Sequence, residues 1–302
     1  KPHWRFKLDG RPVQFGDLIK GPQTVNTASM SDPVLLREDG SYLYTLPSVV
    51  DDIDLAISHV IRGEDHVSNT GTQIEIIEAL GGTVPVFAHH NLLTDAQGQG
   101  FSKRLGSQSI SDFRDQGYEP LAIAIMAAIT GTSLPIEAYA SLDEIAERLD
   151  FAMISHGPAR FDPVELDNLN ARLLHTMSYA QALPRLTSLG LEGEAIWLSL
   201  RDNLTRFSDI VDLARLVTGP VEPVIADEDR DFLALAKALL PPEPWTIDTW
   251  GEWTGALKGA TGRKGKALFL PLRLALTGRP DGPELKSLLP LVGRMACLAR
   301  LP

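Results

Sequence analysis

The stretch from Leu55 to Leu93 constrains this chain more than any other. Leu55-Ala56-Ile57-Ser58-His59-Val60-Ile61 is a short apolar run, rich in β-branched residues, and reads as a buried strand. A polar loop, Arg62-Gly63-Glu64-Asp65-His66, follows it. Ser68, Asn69 and Thr70 then offer helix N-caps, with Ile74, Ile77 and Leu80 at helical spacing and Gly81-Gly82 as a stop. Pro85 to Leu93 reads as a second strand. Strand, loop, helix, strand is the βαβ unit of a parallel sheet, in which ligands bind where strands end and loops begin. A parallel sheet of two or three strands is small, so the unit is expected to have partners, either cut off or otherwise outside this sequence.

On either side the texture differs. Val34 to Arg37, the Asp39-Gly40 turn and Tyr42 to Val50 read as β-rich sequence. Beyond about residue 110 the pattern turns helical. Pro120 opens an apolar helix that ends near Gly131, and Ser141 to Glu144 and Asp162 to Glu165 read as capping boxes. Leu166, Leu169, Leu173 and Leu174 mark a buried stripe. Further helices fill 190–302, broken at Gly219-Pro220, Pro241-Pro242 and Gly278 to Gly282.

Composition narrows the function. With 44% hydrophobic and 22% charged residues, the 302-residue chain can bury real cores in two or three domains. The single Cys297 excludes an intrachain disulfide and a Cys-rich zinc site, and no metal ligands are assigned. No segment reads as membrane-spanning or as a signal peptide, so a cytoplasmic protein is expected. A net charge of −11 argues against a small basic DNA-binding module, but RNA binding depends on a local basic face.

Four constellations could carry chemistry. Gly100-Phe101-Ser102-Lys103-Arg104 combines a mobile glycine, a hydroxyl and adjacent cations, which suits a triphosphate; a solvated basic turn is the other reading. Arg62, where a strand ends, could grip a carboxylate in two-pronged fashion or staple its own loop through Glu64, while Asp65 could accept bonds from a ligand. Tyr44 could donate its hydroxyl to a ligand or sit as a half-buried strand aromatic, and Asp51-Asp52 suits a solvated turn or helix cap. Arg263, Lys264 and Lys266, with Arg273 and Arg279 beyond, form the densest basic run and could track a phosphate backbone or be solvated.

In order along the chain, the runs Tyr44-Thr-Leu-Pro-Ser-Val-Val-Asp-Asp, His59-Val-Ile-Arg-Gly-Glu-Asp-His-Val-Ser-Asn-Thr and Phe101-Ser-Lys-Arg resemble the second half of the catalytic domain of bacterial glutamyl-tRNA synthetases, class I enzymes. Lys264 to Gly278 resembles their anticodon-binding region. The resemblance implies an α/β plus all-α protein: the end of an acceptor-stem insertion (1–30), the C-terminal half of a Rossmann-type catalytic domain (31–110), a helical stem-contact domain (111–185) and a helical anticodon-binding domain (186–302). It implies ATP with Mg2+, glutamate and tRNA(Glu) as ligands, in a protein expected to be monomeric and free of membranes.

Residue by residue, the resemblance gives Lys103 the catalytic role of steadying phosphates. It gives Phe101, Ser102, Arg104, Asp65, His66, Leu92 and Leu93 to the ATP site, Tyr44 and Arg62 to glutamate, and Arg263, Lys264 and Lys266 to tRNA. Two departures stand out. Gly100 occupies the place of the loop's usual first lysine, and no His-x-Gly-His or His-x-Gly-Asn segment occurs. That motif belongs to the first half of the domain, so the chain is expected to be truncated and unable to form the adenylate alone. A non-catalytic tRNA-binding module is the alternative from another class.

Overall fold

A computed structural model describes residues 3–95, 98–100 and 109–302. In chain order the strands are β1 (Trp4–Arg5), β2 (Pro12–Asp17), β3 (Gly21–Asn26), β4 (Val34–Leu36), β5 (His59–Gly63), β6 (Val86–His90), β7 (Leu93–Thr94) and β8 (Ala159–Arg160). The helices are α1 (Thr45–Asp54), α2 (Val67–Ala79), α3 (Ile110–Asp115), α4 (Pro120–Ile129), α5 (Leu142–Arg148), α6 (Pro163–Thr176) and α7 (Tyr179–Ser188). They continue with α8 (Glu194–Leu200), α9 (Asp209–Thr218), α10 (Arg230–Ala238), α11 (Thr249–Thr261), α12 (Lys266–Thr277), α13 (Leu285–Val292) and α14 (Arg294–Arg300). Two compact units result: Lys1–Ser107 with Ala124–Pro163, and Gln108–Ile123 with Val164–Pro302.

The first unit is built on a four-stranded sheet in the order β3-β2-β6-β5. β5 and β6 run parallel, His59 facing Val86 and Gly63 facing His90, as a βαβ unit requires. Partners were expected outside this sequence, but β2 and β3 of the chain itself extend the sheet. This antiparallel hairpin joins the sheet through one parallel register point, Asp17 beside Phe87. The sheet is therefore mixed, where a parallel one was expected.

The crossover helix α2 is buried along most of its length, from Thr70 to Ile77. Ile74 meets Val13 and Phe87, while Ile76 and Ile77 meet Val49 of α1. Burial on two sides explains why its polar residues are paired, since an unpaired buried polar group costs about 1–3 kcal/mol. Glu75 accepts from the Thr27 hydroxyl at 2.6 Å and the Asp9 N–H at 2.8 Å. Gly71 permits close approach of β3, because a Cβ there would lie 2.6 Å from Val25 Cγ1.

Several local expectations need correction. The Tyr42–Val50 segment is not a strand: Thr45–Asp54 is helical. Its Leu46, Val49 and Ile53 recur at helical spacing and pack with Ile76 and Ile77, and this tertiary partner outweighs the β-branched composition. Asp51 and Asp52 thus lie in that helix. The first strand begins at His59, later than Leu55, and Ser68, Asn69 and Thr70 lie inside α2, which grows directly out of a 3₁₀ turn at Glu64–His66. Leu80 ends up half exposed at the helix end. At α5 the Ser141 hydroxyl accepts the Glu144 N–H, but the Glu144 carboxylate returns to the Ala140 N–H in place of the cap residue.

The second unit is helical among its described residues. One core runs through α6 to α14, with Trp197 and Trp253 fully buried and their indole N–H groups donated to the carbonyls of Met177 and Ala236. Asn170, also fully buried, accepts from the Glu119 N–H at 2.7 Å and donates to the Thr205 carbonyl at 2.6 Å. Arg300 closes the core by donating one nitrogen to the carbonyls of Leu216 and Leu276, both at 2.9 Å, near the last turns of α9 and α12. A cation is favourable at helix C-termini.

Candidate active site

The site forms where β5 and β6 end. Arg62, the fourth residue of β5, lies half-buried over the Phe87 ring, 5.5 Å from its centroid. Its Nε donates to His89 Nε2 at 3.1 Å. Its Nη2 donates to the Thr70 hydroxyl and to Gln73 Oε1, each at 2.7 Å. The Gln73 amide in turn donates to Ser48 of α1. Arg62 is therefore not stapled to Glu64, whose carboxylate pairs with Lys20 at 2.5 Å.

Tyr44 stands at the N-terminus of α1, exposed, close enough to the Arg62 guanidinium to raise its pKa. Its ring lies 5.9 Å from that of His66. Burial lowers the Arg62 pKa, opposed by Tyr44, Asp52 and Asp65. Burial raises the Asp52 carboxyl, with Arg62 pulling it back down and Asp51 pushing it up. Tyr44, Arg62, Asp65 and His66, separated by up to 22 positions in the sequence, thus share one neighbourhood.

Gly63 explains how Asp65 and Leu92 come together. A Cβ at this position would lie 2.6 Å from Asp65 Oδ1 and 2.9 Å from Leu92 Cδ2, so both side-chain ends would have to shift if it were not glycine. Leu92 and Leu93 are about two-fifths exposed, available to a flat apolar ligand. Phe101, Ser102, Lys103 and Arg104 lie outside the described residues.

Sequence reasoning missed three supports of this site. His89 and Asp17 are completely buried, with His89 Nδ1 bonded to Asp17 Oδ2 at 2.5 Å. Asn91 donates its amide to the carbonyls of Gly131, Ser155 and Gly157, fastening the β6 exit to the 131–157 segment. None carries a pattern of spacing that would reveal it, because each depends on partners 40 or more positions away.

In the second unit the basic run splits. Arg263 pairs with Asp229 at 2.5 Å and stacks over Phe232, 4.3 Å from its centroid, whereas Lys264 and Lys266 are exposed. Nearby, Trp250, Phe269, Arg273, Glu284, Leu285 and Lys286 line a hollow of about 350 Å³. Phe269 is 43% exposed, and Arg273 Nη1 is buried there without a partner. Arg273 Nη2 donates to the Pro283 carbonyl at 3.1 Å, and the exposed Phe269 ring offers a stacking face of the kind that suits a base.

The family model for the catalytic domain of class I tRNA synthetases for E and Q matches residues 1–168. An anticodon-binding-domain model matches residues 175–302. Over its whole length the chain is 59% identical to glutamate–tRNA ligase 2 of Methylobacterium sp. (strain 4-46), of which it covers 68%. The chain belongs to the glutamate–tRNA ligases. It is also 54% identical to glutamate–tRNA ligase 1 of Brucella suis biovar 1 (strain 1330), covering 69% of that protein. Among solved structures, a glutamate tRNA ligase from Elizabethkingia meningosepticum CCUG26117, in complex with its amino acid, shares the fold at a TM-score of 0.80 and 24% identity. That alignment takes in 98% of this chain and 66% of the solved one. The chain thus spans about two thirds of the length of its ligase relatives. The family assignment agrees with the class I fragment and helical modules expected from the sequence.

Proposed function

We propose that this chain supplies the phosphate-loop half of a glutamate-activating site and the tRNA-reading helices of the same enzyme. In that reaction a glutamate carboxylate oxygen attacks the α-phosphorus of ATP and pyrophosphate leaves. The 3′-terminal ribose hydroxyl of tRNA(Glu) then attacks the adenylate carbonyl and AMP leaves. No covalent protein intermediate is needed; rate comes from positioning and charge stabilisation.

The observation that carries the reading is the fixed guanidinium of Arg62 with Tyr44 beside it. A guanidinium held in this way presents its remaining nitrogen, Nη1, to a carboxylate as a charge-assisted donor. Asp65, His66, Leu92 and Leu93 are assigned to the nucleotide, with Phe101, Ser102, Lys103 and Arg104 beside its phosphates. Mg2+ is taken to arrive on those phosphates, since it commonly binds through phosphate oxygens and retained waters. For tRNA, the exposed Lys264 and Lys266, together with Arg263, are assigned to the phosphate backbone, and the Trp250–Phe269–Arg273 hollow to a base. Residues 1–30 are assigned to the acceptor-stem insertion, 111–185 to stem contact and 186–302 to the anticodon. The protein acts as a cytoplasmic monomer in this reading. Among the described residues, no helix is long and apolar enough to cross a membrane.

The test is pyrophosphate exchange in the intact ligase. Arg62→Lys removes the fork and should raise the glutamate KM by roughly thirtyfold, as expected for losing a charge-assisted pair, with little change in the ATP KM. Lys103→Ala should lower the exchange rate by about a hundredfold while tRNA affinity holds. An unchanged glutamate KM or an unchanged rate refutes the respective assignment.

A further inference from the structure

Arg62 has five N–H donors, and the fold disposes of them unequally. Nε goes to His89 Nε2, and Nη2 is taken by Thr70 and Gln73, so the two hydrogens of Nη1 remain for a ligand. Thr70 accepts from Arg62, because a guanidinium only donates, and its hydroxyl lies 3.1 Å from the His66 carbonyl and 3.2 Å from His89 Nε2. Everything then depends on His89 Nε2 being a lone pair and not an N–H.

Asp17 decides that question. It lies at the end of β2, fully buried, and receives the backbone N–H groups of Ile19, Lys20 and His89 through Oδ1. Its other oxygen, Oδ2, is 2.5 Å from His89 Nδ1. An ionised carboxylate accepts only, so Nδ1 carries a proton, and the Arg62 Nε–H donated to Nε2 requires that nitrogen to be bare. Burial works against the Asp17 charge, but the hydrogen bonds from Lys20, His89 and Ile19 together hold its pKa below the usual value.

The charged and titratable groups facing His89 are Asp17 from β2, Arg62 from β5 and His66 from the 3₁₀ turn; Phe15 and Phe87 flank the ring. Burial, foremost, and then Arg62 and His66 lower the imidazole pKa, while Asp17 raises it, leaving it below its ordinary value. A neutral ring with a bare Nε2 is thus the state the surroundings support.

We propose that Asp17 and His89 are positioning residues: the Asp17 carboxylate fixes the His89 tautomer, and His89 fixes the rotation of the Arg62 guanidinium so that Nη1 meets the substrate carboxylate. This rests on the assignment of Arg62 to glutamate. The pair touches no substrate and acts through Arg62 alone. Its effect therefore falls on glutamate and not on ATP.

Two measurements test it. In nitrogen-15 spectra of the histidine rings in this chain, the signal lost in His89→Gln should be that of a ring protonated at Nδ1 alone through neutral pH; His90, whose Nδ1 faces the Asn91 carbonyl at 2.8 Å, persists in that variant. An Nε2-protonated or doubly protonated His89 overturns the relay without reference to any substrate. In the intact ligase, Asp17→Asn, which presents an amide donor to Nδ1 and forces the proton to Nε2, should raise the glutamate KM about tenfold, as for one charge-assisted hydrogen bond. The ATP KM should hold. His89→Leu should do the same, the double variant should add little, and His89→Gln, whose amide can both donate and accept, should restore most of the loss. If Arg62→Lys raises the glutamate KM but Asp17→Asn and His89→Leu do not, the relay is wrong and the glutamate site stands. If Arg62→Lys leaves it unchanged, the glutamate assignment itself falls.

Discussion

The Tyr118 hydroxyl donates to Asp167 Oδ1 at 2.5 Å, and Arg206 meets the same oxygen at 2.6 Å while lying over the Tyr118 ring. Tyr118, Asp167 and Arg206 come from three separate segments of the helical unit. Burial, reinforced by Asp167, pushes the Tyr118 phenol up to about 12 from 10.0, with Arg206 opposing. Burial alone would raise Asp167, but bonds from Tyr118 and Arg206 bring its carboxyl below 3.8.

The signs give a pH window at each end. The raised phenol stabilises fully below pH 10 and loses that contribution as pH climbs through about 12. The lowered carboxylate stabilises above pH 3.8 and loses it as pH falls through the depressed folded value. Tyr118→Phe should cost about 1 kcal/mol at neutral pH and remove the alkaline loss. Asp167→Asn should flatten the acid limb. Urea unfolding across pH, with phenolate absorbance followed in parallel, checks both; a Tyr118→Phe variant with the original alkaline slope would rule the pairing out.

Among the described residues no carboxylate pairs with the buried Arg300, whose charge is answered by the carbonyls of Leu216, Leu276 and, at 3.4 Å, Gly219. Burial lowers its pKa, but a guanidinium stays charged in proteins. Arg300→Leu should therefore cost about 3 kcal/mol, since several helix-terminal carbonyls lose their donor at once. Thermal unfolding of the chain measures it. A loss under about 1 kcal/mol would mean water replaces the side chain.

The basic run should divide by function. Lys264 and Lys266, exposed, changed together to Ala should weaken tRNA binding and reduce the slope of log affinity against log salt by roughly 1 to 2. Arg263→Ala should act mainly on stability, because its guanidinium is engaged by Asp229 and the Phe232 ring. Filter binding over a salt series, beside a melting curve, separates the two. A full salt slope in the double variant would show those lysines to be solvated only.

The sequence by itself determined the elements whose signals are local. The β5–α2–β6 unit, the apolar helix opening at Pro120 and the helix breaks at Gly219, Pro241 and Gly278 were legible, because turn chemistry and periodicity act over a few residues. The polar Arg62-Gly63-Glu64-Asp65-His66 run stood out for the same reason, although Arg62 and Gly63 close β5 and Glu64–His66 form a 3₁₀ turn where a loop was expected. Tertiary structure decided the rest. It made Thr45–Asp54 a helix against its β-branched composition, because Val49 gains Ile76 and Ile77 as partners. It brought the β2–β3 hairpin into the sheet, and with it Asp17 against His89, 72 positions away in the chain. A buried carboxylate and imidazole carry no sequence period. Only the closing of the sheet removes water from both and turns two isolated residues into the support of Arg62.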